Sequence, residues 1–141
     1  MSEFKKLTDQ LFVSAQLSLD DIQAAKAGGF KTIINNRPNN ESDDQPDGAE
    51  IEKAVRNAGL AYYHQPVVSG QITDKNVDEF GQLLSSVNGP TLAFCRTGTR
   101  CTFLWALSQA AHEELPELAN KAASAGYDLS GLMPRLLQRK G

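Results

Sequence analysis

The stretch CRTGTRC, Cys95 to Cys101, places the only two cysteines of the chain at the ends of a run holding two arginines, two threonines and a glycine. A thiol attacks as its thiolate, and its pKa falls where backbone N–H groups, a helix N-terminus or a cation face it. The run follows the apolar "PTLAF" (90–94) and precedes the helix-forming "RCTFLWALSQ". A turn from a buried strand into a helix aims converging N–H groups, and the positive end of the helix, at whatever ends the strand. Cys95 therefore reads as a nucleophile in an anion cradle. Gly98 supplies the positive φ that the turn needs and leaves room for an anion beside the backbone of Thr97 and Thr99. Arg100 closes the cradle with a forked, permanently charged guanidinium. Arg96 points outward, to steer anions or touch the substrate. Two readings of Cys101 stand side by side. A loop that curls into a cradle can bring its ends within disulfide reach, making Cys101 a redox partner of Cys95; alternatively it is a small packing residue in the first turn of the helix.

The elements that position this loop follow from periodicity and capping signals. "LFVSA" (11–15), "KTIINN" (31–36), "LAYYHQPVV" (60–68) and "PTLAF" (90–94) read as four strands. Helices separate them: Ser18 with Asp21 three positions on forms a capping pattern, Asp47 or Gly48 opens a second helix, and Thr73 caps a third carrying Val77, Phe80, Leu83, Leu84 and Val87 on one face. From Thr99 onward only helix is expected, in three pieces broken at Pro116 and around Gly126. Strand–helix alternation followed by a helical tail predicts an α/β domain over 1–141, with a mostly parallel four- to five-stranded sheet flanked by helices. The C-terminal ends of parallel strands share one rim, where such sheets bind ligands. That rim collects Gln16, Asn36 with Arg37, Pro66 to Ser69, and Cys95. Arg37 is a candidate anion contact, with a salt bridge to the acidic loop as the alternative.

Composition narrows the partners. With 14 basic against 17 acidic residues the formal net charge is −3, which argues against a nucleic-acid or anionic-membrane surface. No apolar run is long enough for a signal peptide or a membrane helix, and the chain reads as cytoplasmic, where two cysteines are reactive more often than structural. His64 and His112 read as structural or surface residues. The cysteines lack zinc-like spacing, so no metal or other cofactor is expected. Oligomeric state is not legible.

Beyond the loop's chemistry, "FCRTGTRC" resembles the phosphate-binding loop of the protein tyrosine phosphatase superfamily. In order and spacing "AYYHQPVVSGQITDKNVDEFGQLLSSVNGPTLAFC" is similar to the dual-specificity phosphatases. Including "TIINNRP", nearly the whole chain resembles the bacterial phosphatase-like domain of beta-lactamase-hydrolase-like proteins. The resemblance implies a protein tyrosine phosphatase-like fold and phosphomonoester hydrolysis through a cysteinyl-phosphate on Cys95. Its substrate would be a phosphorylated small molecule or protein side chain. There are departures. Four residues separate Cys95 from Arg100 where the superfamily usually has five, Phe94 replaces the usual histidine, and Cys101 stands where Ser or Thr usually assists the thiolate. At the position matching the family's general acid is Ser69, which cannot donate a proton well. Asp74 is then the candidate acid, with Asp43, Asp44, Asp47 and Glu50 as other carboxylates on the rim.

Two further functions remain open on the same residues. The short loop is also similar to that of rhodaneses, which carry a persulfide on the cysteine, so sulfur transfer on Cys95 is an alternative. The missing acid is compatible with a third, a phosphate-binding regulatory module of little catalytic power.

Overall fold

In the computed structural model, which describes residues 2–141, five strands form one sheet in the order β1-β2-β5-β3-β4. The strands are β1 (Lys5–Lys6), β2 (Leu11–Ser14), β3 (Thr32–Asn35), β4 (Ala61–His64) and β5 (Thr91–Phe94). β2, β5, β3 and β4 run parallel, and β1 pairs antiparallel with β2. The register puts Ser14, Phe94, Asn35 and His64 in one row at the C-terminal ends of the parallel strands. The residues that follow each strand therefore emerge on a common rim, as the alternating pattern predicts.

Helices α1 (Leu19–Ala27), α2 (Gly48–Asn57), α3 (Asp74–Ser86), α4 (Thr99–Gln109), α5 (Leu115–Ser124) and α6 (Met133–Lys140) complete the architecture, with a 3₁₀ turn over Ser130–Leu132. Ser18 and Asp21 form the expected reciprocal capping box of α1, Thr73 forms one with Asn76 on α3, and Asp47 caps α2. Two apolar clusters lie on either side of the sheet. Ile22, Val55 and Phe94 belong to one, and Val77, Leu104, Leu118 and Leu136 to the other. β5 and α4 are central: every residue of β5 is buried, and α4 packs against α3, α5 and α6. A helix enclosed this way tolerates apolar residues on all sides, which is why "TFLWAL" carries no polar stripe.

Three boundaries differ from expectation. β1 is too short for a sequence pattern and exists through its pairing with β2. The strand expected over 60–68 ends at His64, because Pro66 has no N–H to continue the ladder. Gln65 and Val67 still donate to the carbonyls of Asn35 and Asn36. The helix expected through Glu114 stops at Gln109. Among the described residues no helix is long and apolar enough to cross a membrane.

Candidate active site

Cys95 follows β5 directly and Gly98 caps the start of α4, so the loop between them is the strand-to-helix turn the sequence calls for. Gly98 has φ 91° and is the N-cap of α4. A side chain there would be strained by the backbone and would run into the Tyr127 hydroxyl. The Gly98 N–H points into the loop and donates to Cys95 Sγ at 3.1 Å. Thr97 and Thr99 face one another through their hydroxyls at 3.0 Å. Tyr127 Oη donates to the Thr97 carbonyl at 2.9 Å, tying the turn to the segment after α5.

Cys95 is fully buried at the base of the turn. Its thiol pKa is pulled down to about 5, chiefly by a hydrogen bond from the Cys101 side chain, with backbone N–H groups of Cys101 and Thr97 and the charge of Arg100 acting against burial. The thiolate is the resting form at neutral pH. Cys101 is also fully buried, and burial beside that thiolate pushes its own thiol well above the ordinary range, so it stays protonated and remains a donor. In the structure its Sγ–H donates to Asn36 Oδ1 at 3.2 Å; with a single proton, that bond must be exchanged for one to Cys95 Sγ when Cys101 stabilises the thiolate. Both cysteines are free thiols. Cys101 thus stands buried beside Cys95 where a hydroxyl donor would, and Thr102 turns away to bond the Gly98 carbonyl.

Arg100 is held on one edge only. Nη1 donates to Glu41 Oε2 at 2.7 Å and to the Val67 carbonyl at 2.9 Å, and Nη2 donates to Glu41 Oε1 at 2.8 Å. Among the described residues Nε and the second Nη2 hydrogen have no protein partner, which leaves the Nε/Nη2 edge to grip two oxygens of an oxyanion. Glu41 keeps its carboxyl below the usual range through the Arg100 hydrogen bonds and the weaker ones from Arg37, against burial. Arg37 is buried and turned to the acidic loop: it bonds Glu41 at 3.0 Å, Gln16 at 3.0 Å and Ser42 at 3.0 Å. The salt-bridge alternative for Arg37 is the observed one, and through Glu41 it is linked to Arg100.

Above the loop opens a pocket of about 490 Å³ whose apolar side is Ile72, Phe103 and Leu132 and whose polar side carries Arg96, Arg100 and Arg135. Ser69, at the position matched to the family acid, lines it too, and no carboxylate does. Asp74 sits outside the lining, largely exposed, paired with Arg135 at 3.3 Å and Arg139 at 3.4 Å. Asp43, Asp44, Asp47 and Glu50 stay outside the lining as well. His64 Nε2 donates to the Arg37 carbonyl at 2.8 Å, a structural contact. No group of three or more His, Cys, Asp or Glu that could hold a metal occurs among the described residues.

The sequence reading missed Glu41, Tyr127 and Arg135. Glu41 is one carboxylate among several in a polar loop, and only the fold selects it for Arg100. Tyr127 and Arg135 lie in the tail, with nothing in their neighbours to mark them.

The strand–loop–helix geometry, with Cys95, Gly98 and Arg100 in these places, can be set beside known proteins. The family model for the beta-lactamase hydrolase-like protein, phosphatase-like domain matches residues 3–112. The chain belongs to this family. Beta-lactamase hydrolase-like proteins of Xylella fastidiosa and Agrobacterium fabrum are 34% identical over 103 residues and 30% over 126, covering 73% and 88% of this chain. The matched segments make up 24% and 29% of those relatives, so this chain spans less than a third of their length. A Neisseria meningitidis crystal structure, of a protein provisionally named a phosphatase, superposes with a TM-score of 0.88 at 38% identity, over 96% of this chain and 97% of that one. P. aeruginosa TpbA bound to pTyr has the same fold, with a TM-score of 0.67 at 14% identity over 99% of this chain and 88% of its own. The fold of this phosphatase-like domain is therefore that of the protein tyrosine phosphatases, as its sequence resemblance implies.

Proposed function

We propose that this phosphatase-like domain hydrolyses phosphomonoesters with Cys95 as nucleophile. The observation that carries the reading is one loop holding both a thiolate and, over it, a guanidinium edge free to take an oxyanion. Cys95 attacks phosphorus in line while the loop N–H groups and Arg100 hold the equatorial oxygens. The S–P bond forms, the ester O–P bond breaks, and a cysteinyl-phosphate is left for water to hydrolyse, releasing phosphate and restoring the thiolate. Cys95 is fully buried with the Gly98 N–H on its Sγ, so in-line attack requires the turn to expose Sγ to the phosphate.

A pocket wall without a carboxylate favours aryl phosphates, whose leaving groups need little protonation. For poorer leaving groups Asp74 is the acid proposed, one guanidinium from the wall through Arg135. Sulfur transfer draws its support from loop length, and a regulatory module from the missing acid. Incubation with an aryl phosphate, and separately with thiosulfate plus cyanide, separates the three. Phosphate release lost in Cys95→Ser supports hydrolysis, thiocyanate formation supports sulfur transfer, and phosphate binding without either supports a module. Activity that survives Cys95→Ser in both assays refutes Cys95 as the nucleophile.

A further inference from the structure

The pocket continues past the cradle. At about 490 Å³ it has many times the ~30 Å³ share of one water, so a phosphate group fills a small part of it. What fills the rest is constrained by two features of the wall. Ile72, Phe103 and Leu132 offer apolar surface suited to a flat ring or short hydrocarbon. Beyond Arg100 stand two more cations, Arg96 and Arg135, with no carboxylate in the lining.

Neither guanidinium is fully used by the protein. Arg96 is exposed and forms no ion pair among the described residues. Arg135 donates through Nη1 to the Ile72 carbonyl at 2.8 Å, which fixes its plane. Its one carboxylate partner, Asp74, is reached at 3.3 Å and is 77% exposed, so water screens that pair strongly. Arg135 is held in place, half-buried, with N–H donors to spare.

We infer that the pocket selects phosphomonoesters bearing a second anionic group, a carboxylate or another phosphate, that Arg135 binds while the intervening carbon skeleton lies against Phe103, Ile72 and Leu132. Arg96 adds its field at the mouth. This inference rests on the phosphatase reading for the cradle itself and deepens it by a substrate class. Arg135 and Leu132 lie in the tail beyond residues 3–112, the span that the family model matches.

The test compares 3-(4-phosphonooxyphenyl)propionate with its primary amide, two esters with the same ring and reach that differ in one charge. Calorimetry on Cys95→Ser protein reads affinity without turnover, and steady-state kinetics on the unaltered protein read kcat/KM. The carboxylate is expected to bind about tenfold tighter and to have about tenfold higher kcat/KM, with the difference carried by KM. In Arg135→Leu that ratio falls to about one, and Arg135→Lys recovers part of it. Arg139→Gln, which also loses a contact to Asp74 but lies outside the lining, keeps the ratio. Equal affinities for the two esters in the parent protein overturn the inference even if both are hydrolysed. A tenfold affinity ratio without turnover of either leaves it standing and refutes the phosphatase reading. Binding of neither ester refutes both.

Discussion

Replacing Cys101 by alanine isolates the interaction that contributes most to the low pKa of Cys95. Its side-chain hydrogen bond to the thiolate is the largest cause of a pKa near 5. Hydrogen bonds to charged groups contribute ~1.5–3 kcal/mol, and a thiol is a weak donor, so the lower end applies. At ~1.36 kcal/mol per pKa unit, Cys101→Ala raises the Cys95 pKa by about one unit, from about 5 to about 6. At pH 5 the thiolate fraction then falls from about a half to about a tenth, a roughly fivefold loss of rate. At pH 7 it falls only from ~0.99 to ~0.9. The acid limb of kcat/KM thus moves up while the neutral plateau barely changes. Ultraviolet thiolate absorbance gives the midpoint directly. Cys101 itself does not interfere, since burial pushes its ionisation well above this window. Cys101→Ser, with a stronger O–H donor, holds the midpoint at about 5 or below. A midpoint still near 5 in the alanine variant, with its fold intact by thermal unfolding, refutes the role of Cys101 as the thiolate's donor.

Other expectations follow from neighbouring contacts. Tyr127→Phe removes the bond to the Thr97 carbonyl, worth ~1 kcal/mol, and lowers kcat/KM about fivefold while Tm changes little; an unchanged kcat/KM means the tether does not hold the loop. Asp74→Asn, if Asp74 is the acid, cuts alkyl phosphate turnover by ~10²-fold or more and leaves aryl phosphates far less affected. Equal losses for both leaving groups remove Asp74 from that role. Peroxide is expected to oxidise the Cys95 thiolate to a sulfenic acid with loss of hydroxide, after which the Cys101 thiol displaces water and closes a Cys95–Cys101 disulfide. Mass spectrometry that finds Cys95 overoxidised with no bridge counts against it.

Much of the site was legible because it is local. A thiol after a strand, a glycine with room for positive φ and an arginine five residues after the thiol fall within six consecutive positions, and a strand-to-helix turn has little choice but to aim their groups together. The α1 and α3 caps were legible for the same reason, each needing only three neighbouring residues. Strand alternation fixed the parallel sheet and its rim, and so where the loop stands.

What the sequence alone left undecided depends on residues far apart in the chain. Glu41 meets Arg100 across 59 positions, Tyr127 meets Thr97 across 30, and Arg135 meets Ile72 across 63. None of these pairs has a spacing rule, because contact between them is set by how the loop after β3 and the tail pack around β5 and α4. The same holds for Cys101. Its type and position allow a redox partner or a packing residue, and only burial beside Cys95 makes it a protonated donor to the thiolate. The chain's own order of residues determined where Cys95, Gly98 and Arg100 stand and the sheet beneath them. Tertiary packing decided which carboxylate orients Arg100, which hydroxyl ties down the loop and which cations line the pocket, since those are contacts between surfaces and not between neighbours.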